Sequence, residues 1–361
     1  MKIVNRYITI EFLKILFLLS ASLIIVYIVV DVFENLSDLT KLHAGLFTIS
    51  EYFLLRLPQT IYYIAPLSLL FASFLNLGLF TKYNEVIAMR SGGLGILNIV
   101  SPILIITFFT SISIFFLNDS IVPAANKRAE NIKRKLENKK EEMFFKEASL
   151  WLKSDNNTLY NIRFIDPDKK ILWEVNVYSL SSDFQIKESI SADKAVAEDG
   201  QWFLESGIKR TFDSNNKSMS IYTFDKLPIA FPFEIKDIRH AVVQASETRF
   251  SVLNEYIKKI RKEGYEVKRL IVDLYAKTSF PFAGFIMTIL GLSLALHMKR
   301  IGGMASGIGL CILASLLYWV CFSLSLHMGY AGYIPAILSA WLTNIIFLGI
   351  SGYTFYRAAK T

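Results

Sequence analysis

LLFASFLNLGLFTKYNEVIAMRSGGLGILNIVSPILIITFF, residues 69–109, decides how this chain is built. The flanks are almost wholly apolar, extending back to Leu54 and on to Leu117. Each is long enough to cross a bilayer, which takes about 20 apolar residues. Between them TKYNEVIAMRSGG (81–93) is short and amphipathic, with Glu85 near its centre. A segment that only reversed the chain needs Gly and Asn. This one has a helix-forming NEVIAMR core stopped by Gly92–Gly93, so it reads as a surface for something else to hold.

Composition agrees with that start. Of 361 residues, 53% are apolar, too many for an ordinary soluble protein. Charge is unevenly placed: residues 119–270 hold 27 of the 39 Lys and Arg and 24 of the 31 Asp and Glu. The chain therefore divides into membrane segments (1–118 and 271–361) around one water-facing insert (119–270). The insert mixes both signs, which argues against a nucleic-acid partner. Cys311 and Cys321 share one apolar run, and ten residues of helix separate them by ~15 Å, beyond disulfide reach. They read as small packing residues. His43, His240, His297 and His327 are scattered, without metal-ligand spacing.

Six runs meet the length for a span: roughly 12–33, 55–80, 95–118, 271–297, 304–326 and 333–356. The first follows Lys2, Arg6 and Lys14 as a signal peptide would. It ends in VYIVVD without a small-residue cleavage site, so a retained helix is expected. Short cytoplasmic loops collect Lys and Arg. Lys2, Arg6, Lys14, Lys82, Arg90, Lys299, Arg300, Arg357 and Lys360 fall on one side, against Lys41 and Arg56 on the other. This predicts both termini in the cytoplasm and the insert outside it.

Within the insert, NKRAENIKRKLENKKEEMFFKEA is highly charged and helix-tolerant and is expected to continue span three as a polar helix. From Leu150 the period becomes two: Trp173, Val175 and Val177 alternate with Glu174 and Asn176, and Ile162 and Phe164 with Asn161 and Arg163. Turn signals stand at 166–168, 198–200 and 213–216, and Pro228 and Pro232 close the strand region. An antiparallel sandwich or open jelly roll is expected. FSVLNEYIKKI then returns to helical spacing, with Phe250, Leu253, Tyr256, Ile257 and Ile260 on one face, Ser251 as N-cap and Gly264 as stop.

No GxxxxGK[ST], GxSxG or CxxC motif occurs, and no paired carboxylates lie within the spans. The chain reads as a non-enzyme without a metal or cofactor of its own. Gly303–Gly307 suits close helix packing more than a hinge, and Asp273 with Lys277 is an i,i+4 pair at the end of span four. A six-span protein with no energy source is either passive or driven by a partner. Residues 81–93 then supply what a driven one needs, a rigid cytoplasmic segment for a motor subunit to push.

Several stretches in this order resemble the permease subunits of the bacterial lipopolysaccharide exporter, the LptF/LptG (YjgP/YjgQ) family. They are RYITIEFLK near the start, YNEVIAMRSGG, the VP after span three, LWLKSDNNTLYNI, the Tyr–Ile–Lys-rich helix before span four, and KTSFPFAG. LW…NN…Y and VDVFENL lean toward the G-type subunit. The resemblance implies an inner-membrane ABC transporter permease, six helices arranged 3+3 with an inserted periplasmic antiparallel β-jelly-roll-like domain. Its expected partners are an F-type or G-type permease subunit, an ATPase dimer that holds the ATP and Mg, a single-span accessory subunit with its own jelly roll, and lipopolysaccharide itself. Such a permease extracts lipopolysaccharide from the inner membrane, between span one of one subunit and span five of the other. It then passes the lipid to a periplasmic bridge.

Carried over by position, Glu85, Val86, Met89, Arg90 and Gly92 would couple to the ATPase. Trp173, Val175 and Val177 are candidates for a lipid path. Where relatives place a Lys at the outer end of span one, this chain has Asp31, Glu34, Asn35 and Asp38. Lys41 and Arg56 are therefore the cations left to meet a lipid phosphate. Two rival readings remain: a mechanical transmitter with tightly packed spans, and a receptor, which would need a cytoplasmic output module.

Overall fold

A computed structural model of the full chain describes every residue except 1, 42–44, 137–141, 147–148, 155–156, 167–170, 182–184, 199–200, 213–218, 232–248, 263–266, 298–302 and 361. The expected turn at 213–216, and most of those at 166–168 and 198–200, lie outside the described residues, as do Gly264 and Pro232. Two compact units emerge, Met1–Lys133 with Val267–Thr361, and Arg134–Glu266. The first 15 residues of the expected insert thus belong to the helical unit.

Six helices are long and apolar enough to cross a membrane. The helical elements are α1 (Lys2–Lys41), α2 (Leu46–Lys82), α3 (Glu85–Ser91), α4 (Ile96–Phe116), α5 (Val122–Leu136), α6 (Phe250–Lys262), α7 (Lys268–Leu296), α8 (Met304–Tyr330) and α9 (Ala336–Lys360). One π turn, Leu117–Ile121, joins α4 to α5, so span three runs on into the polar helix as expected, but that helix ends at Leu136, and Glu142–Lys146, expected to continue it, pairs instead as a strand. Four prolines sit inside spanning helices: Pro58 and Pro66 in α2, Pro102 in α4 and Pro281 in α7. Lipid offers no competing hydrogen bonds, so these helices persist where a water-exposed helix would break. Several hydroxyls are satisfied locally for the same reason: Thr60, Thr107 and Thr288 donate to the Arg56, Leu104 and Gly284 carbonyls.

The centre of this unit is the α2/α7 pair. Its close approach depends on glycines. A Cβ at Gly291 would strike the Ser73 hydroxyl and the Leu70 carbonyl, and one at Gly284 would meet Leu69. Gly307 does the same for α8, lying against the fully buried Phe74 ring. That is the close packing expected of the Gly303–Gly307 pair, but Gly303 takes no part in it. It sits at φ 101° as the residue preceding α8, with open space where its side chain would be. Cys311 is a buried packing residue as expected, whereas Cys321 is exposed on α8.

Hydrogen bonds bind α7, α8 and α9 to one another. The Tyr318 hydroxyl donates to Asn344 Oδ1 at 2.7 Å, and Asn344 Nδ2 donates to the Ser279 carbonyl at 2.7 Å. Ser325 donates to the Ser339 carbonyl at 2.6 Å, and Tyr330 to Asp273 at 2.6 Å. In hydrocarbon such bonds act as clamps, because the alternative partner is not water.

The second unit holds a seven-stranded antiparallel sheet whose strands follow chain order: β1 (Glu142–Lys146), β2 (Ser149–Ser154), β3 (Thr158–Asp166), β4 (Ile171–Leu180), β5 (Ile186–Glu198), β6 (Gln201–Phe212) and β7 (Met219–Ile229). Pro228 lies in the edge strand β7, where a missing N–H is tolerated. In α6, Leu253, Tyr256 and Ile257 are buried as expected. Ser251 is not the cap, because the helix begins at Phe250 and the Leu253 N–H bonds the Arg249 carbonyl.

One row crosses this sheet and changes its shape. The β3–β4 ladder pairs Ile162 with Val175 and resumes at Phe164–Trp173. The β4–β5 ladder passes from Val175–Ala192 to Trp173–Lys194, β5–β6 from Ala192–Gly207 to Lys194–Glu205, and β6–β7 from Gly207–Phe224 to Glu205–Lys226. The skipped residues are Arg163, Glu174, Asp193, Ser206 and Asp225. Two of them take left-handed backbone, Glu174 at φ 48° and Ser206 at φ 52°. Alternation slips by one residue at the row: Val177 and Val175 are buried on one side of it and Leu172 on the other.

The sheet folds over along that row. In a flat sheet Tyr160 and Trp202 would be three strands and seven residues apart, about 27 Å. Instead both rings lie 5.5 Å from the Phe231 ring, which puts them no more than about 11 Å apart. A folded sheet also explains how Ile162, Val175, Ala195 and Leu204 reach zero exposure. The single folded sheet, a meander with no crossover among the described residues, bears out the expected inserted antiparallel β domain.

Candidate functional site

Three places in the molecule carry the residues singled out from the sequence. The first is α3. Its start is set by Asn84 at φ 60°, and its end by Gly92 and Gly93, whose N–H groups bond the Ala88 and Arg90 carbonyls. Gly93 stands at φ 88°, a conformation glycine adopts without cost. Val86 is buried and Met89 packs against the bundle core. Glu85 is half-buried and accepts a 3.2 Å hydrogen bond from the Tyr7 hydroxyl of α1, while the Tyr7 ring stacks on Phe80.

So Glu85, Val86 and Met89 fix α3 to the bundle, and the opposite side faces outward. Tyr83 is 65% and Ile87 54% exposed, and Ala88, Arg90 and Gly92 are exposed with them. The residues named from the sequence for coupling, Glu85, Val86, Met89, Arg90 and Gly92, thus divide between the two sides, and Tyr83 and Ile87 were not among them. For Ile87 helical phase held the signal, because once Val86 and Met89 face inward, positions 87 and 90 share the other side; Tyr83 precedes α3 across the left-handed Asn84.

The second place is the open apolar face of α1 and α8. On α1, Phe17, Leu18 and Ile25 are exposed, and on α8 Leu316, Val320 and Leu324. At the end of α1 remote from α3, Asp31 forms a 3.2 Å ion pair with Arg56 of α2. The Arg56 guanidinium also donates to the Tyr52 hydroxyl at 3.1 Å and lies over that ring. Arg56 is therefore an engaged cation that ties α1 to α2. The side chain of Lys41 lies outside the described residues.

The third place is the interior of the folded sheet. Val175 and Val177 line it with Ile162, Ile190, Leu172 and Leu204. Trp173 does not join them. The slip at Glu174 turns it to the other face, where its neighbour Lys194 bonds Glu205 at 2.6 Å, and Leu172 takes the inward place. Gly207 is small because the Phe224 ring crosses it. Ion pairs Arg163–Glu174, Lys209–Glu188 and Lys226–Glu198, at 2.6–3.1 Å, stand on the sheet as well.

No single sequence among curated proteins matches the chain. A family model does, that of the lipopolysaccharide export system permease LptF/LptG, over residues 6–357. That match covers nearly the whole chain, including all six spanning helices and the folded sheet, and this multi-pass membrane protein belongs to the LptF/LptG family of lipopolysaccharide export permeases.

Proposed function

We propose that the chain is the membrane subunit of an inner-membrane ABC transporter, driven at α3 by a separate ATPase dimer that binds the ATP and Mg. In this reading both termini and α3 are cytoplasmic and the β domain is periplasmic, in line with the basic residues at 2–14, 82, 90, 299–300 and 357–360. The chain pairs with a second permease subunit of F or G type, the LW…NN…Y stretch favouring the G role for this one. Lipopolysaccharide is drawn from the inner membrane between α1 of one subunit and α8 of the other. It then passes along the folded sheet, beside a single-span accessory subunit, toward a periplasmic bridge.

The observation that supports this most directly is the two-sidedness of α3. A helix held inward by Val86, Met89 and the Tyr7–Glu85 bond transmits a push, and its exposed Ile87–Arg90 side, with Tyr83 just before it, is a target for a partner. Ile87→Asp should abolish co-purification of the ATPase subunit while the bundle keeps its thermal stability. Undiminished co-purification in both Ile87→Asp and Tyr83→Ala would remove α3 from the coupling role. For the lipid route, a photocrosslinker at Val177 should capture lipopolysaccharide only when ATP is supplied. A phosphate contact at Arg56 would have to compete with Asp31, so Arg56 is better assigned to holding α1.

A further inference from the structure

The interior of the folded sheet is closed by a residue that belongs to no strand. β7 ends at Ile229, whose partner Trp202 is the last ladder pair, and Phe231 lies two residues beyond it. Its ring is half-buried and touches both leaves of the fold, Tyr160 on one and Trp202 on the other. The two contacts differ in geometry: the Phe231 ring is tilted 59° to Tyr160 and stands edge-on, at 87°, to Trp202. Edge-to-face contacts of this kind are individually weak, of order 1 kcal/mol beyond the area they bury. A ring held this way can leave and return.

The row across the sheet gives the leaves a place to turn. The ladder pairs of four adjacent strand pairs are interrupted there, so bending costs no intact pair. On β5 and β6 the inward residues flanking it are small, Ala192, Ala195 and Gly207, while Ile162, Val175 and Phe224 flank it on β3, β4 and β7. Further large inward side chains sit outward on each leaf, Tyr160, Val177 and Ile190 against Leu172, Trp202 and Leu204. A change of angle at the row moves these outer groups apart.

We propose that the β domain is a clamshell that Phe231 holds shut, and that an acyl chain enters its interior only when this ring withdraws and the leaves part along the Glu174–Ser206 row. The proposal rests on the reading of the interior as the lipid's route, and the ring's place at the mouth makes it the gate of that route.

The test uses the full-length chain in nanodiscs, with Cys311→Ser and Cys321→Ser and spin labels at Gln201 and Thr211. Both positions are exposed and lie at opposite ends of β6, which crosses the row at Ser206. A straight β6 would separate their Cα atoms by about 33 Å, the ceiling for opening. The unmodified clasp should give a single distribution well short of that. Phe231→Ala should shift it toward the ceiling, Phe231→Leu should shift it less in the same direction, and Phe231→Trp should leave it in place. A photocrosslinker at Val177 in the assembled transporter should then capture lipopolysaccharide without ATP in the Phe231→Ala background. An unshifted distribution in both Phe231→Ala and Phe231→Leu, with the sheet intact by circular dichroism, overturns the clasp. A shifted distribution with no lipid captured in any variant upholds the clasp as a closure and overturns the lipid route instead.

Discussion

Of the spanning helices of this permease, α1 has the most apolar 18-residue stretch and the least buried one, 6% of it inside the protein, against 72% for the less apolar stretch of α7. α2 resembles α7, and α8 and α9 lie nearer α1. In water the order would be reversed, since apolar surface drives burial there. In lipid nothing is gained by hiding a leucine from a hydrocarbon chain. Helices come together where their backbones approach and their polar groups meet. α2 and α7 have the glycines and hydroxyls for this, and α1 and α8 have leucines and phenylalanines that lipid or a second subunit can cover.

The comparison is broken most severely at the α2/α7 seam. Gly291→Leu places a side chain against the Leu70 carbonyl and the Phe74 N–H, backbone atoms that cannot rotate away. Overpacking of this kind costs about 1–3 kcal/mol and sometimes more. The variant should show a lowered Tm in detergent and failed assembly with its partners. Leu317→Ala, on the exposed side of α8, is the matched control and should leave Tm unchanged.

A smaller effect is expected where hydrogen bonds replace glycine contacts. Asn344→Leu removes both the Tyr318 contact and the donor to the Ser279 carbonyl. Interhelical bonds in membranes are worth about 0.6–2 kcal/mol, so the loss should be measurable by steric-trap or denaturant unfolding. Tyr318→Phe added to Asn344→Leu should cost little more, because the pair acts as one unit. Full additivity would show that the two side chains do not share the bond.

Arg56→Gln sharpens the same contrast at the margin of the bundle. It takes the guanidinium from a carboxylate 8% exposed, and a cost of about 1–3 kcal/mol falls between the surface and buried limits for broken pairs. Adding Asp31→Asn should restore part of it. Electron paramagnetic resonance of a label on exposed Phe33 would report whether α1 loosens.

The smallest effect lies in the β domain, where water sets the rules. The hydrogen bond from Lys194 holds the Glu205 carboxyl below its usual range. A depressed carboxylate contributes stability above its unfolded value of about 4.3, and that contribution is lost as pH falls through the lower folded value. Glu205→Gln should flatten this acid limb of the unfolding curve and change nothing at neutral pH beyond the exposed pair itself, which is worth little.

Much of this was legible along the chain. The six apolar runs, the period-two insert, the helix running on from span three and the Gly92–Gly93 stop are local patterns, and local patterns set secondary structure whatever surrounds them. The choice of α2 and α7 as the centre was not, because hydropathy measures affinity for lipid and not for another helix. Nor was the partner of Arg56: Asp31 lies on a different helix, and only packing brings the two within 3.2 Å. Trp173 shows the limit most plainly. Alternation put it with Val175 and Val177, and one residue of left-handed backbone at Glu174 put it on the other face. That slip is shared by neighbouring strands through their ladders, so no single strand's sequence carries it. The sequence determined which segments enter lipid, which form strands, and the family. Only the tertiary structure decided which faces meet, because in lipid and across a folded sheet the deciding contacts are close approaches between residues far apart in the chain.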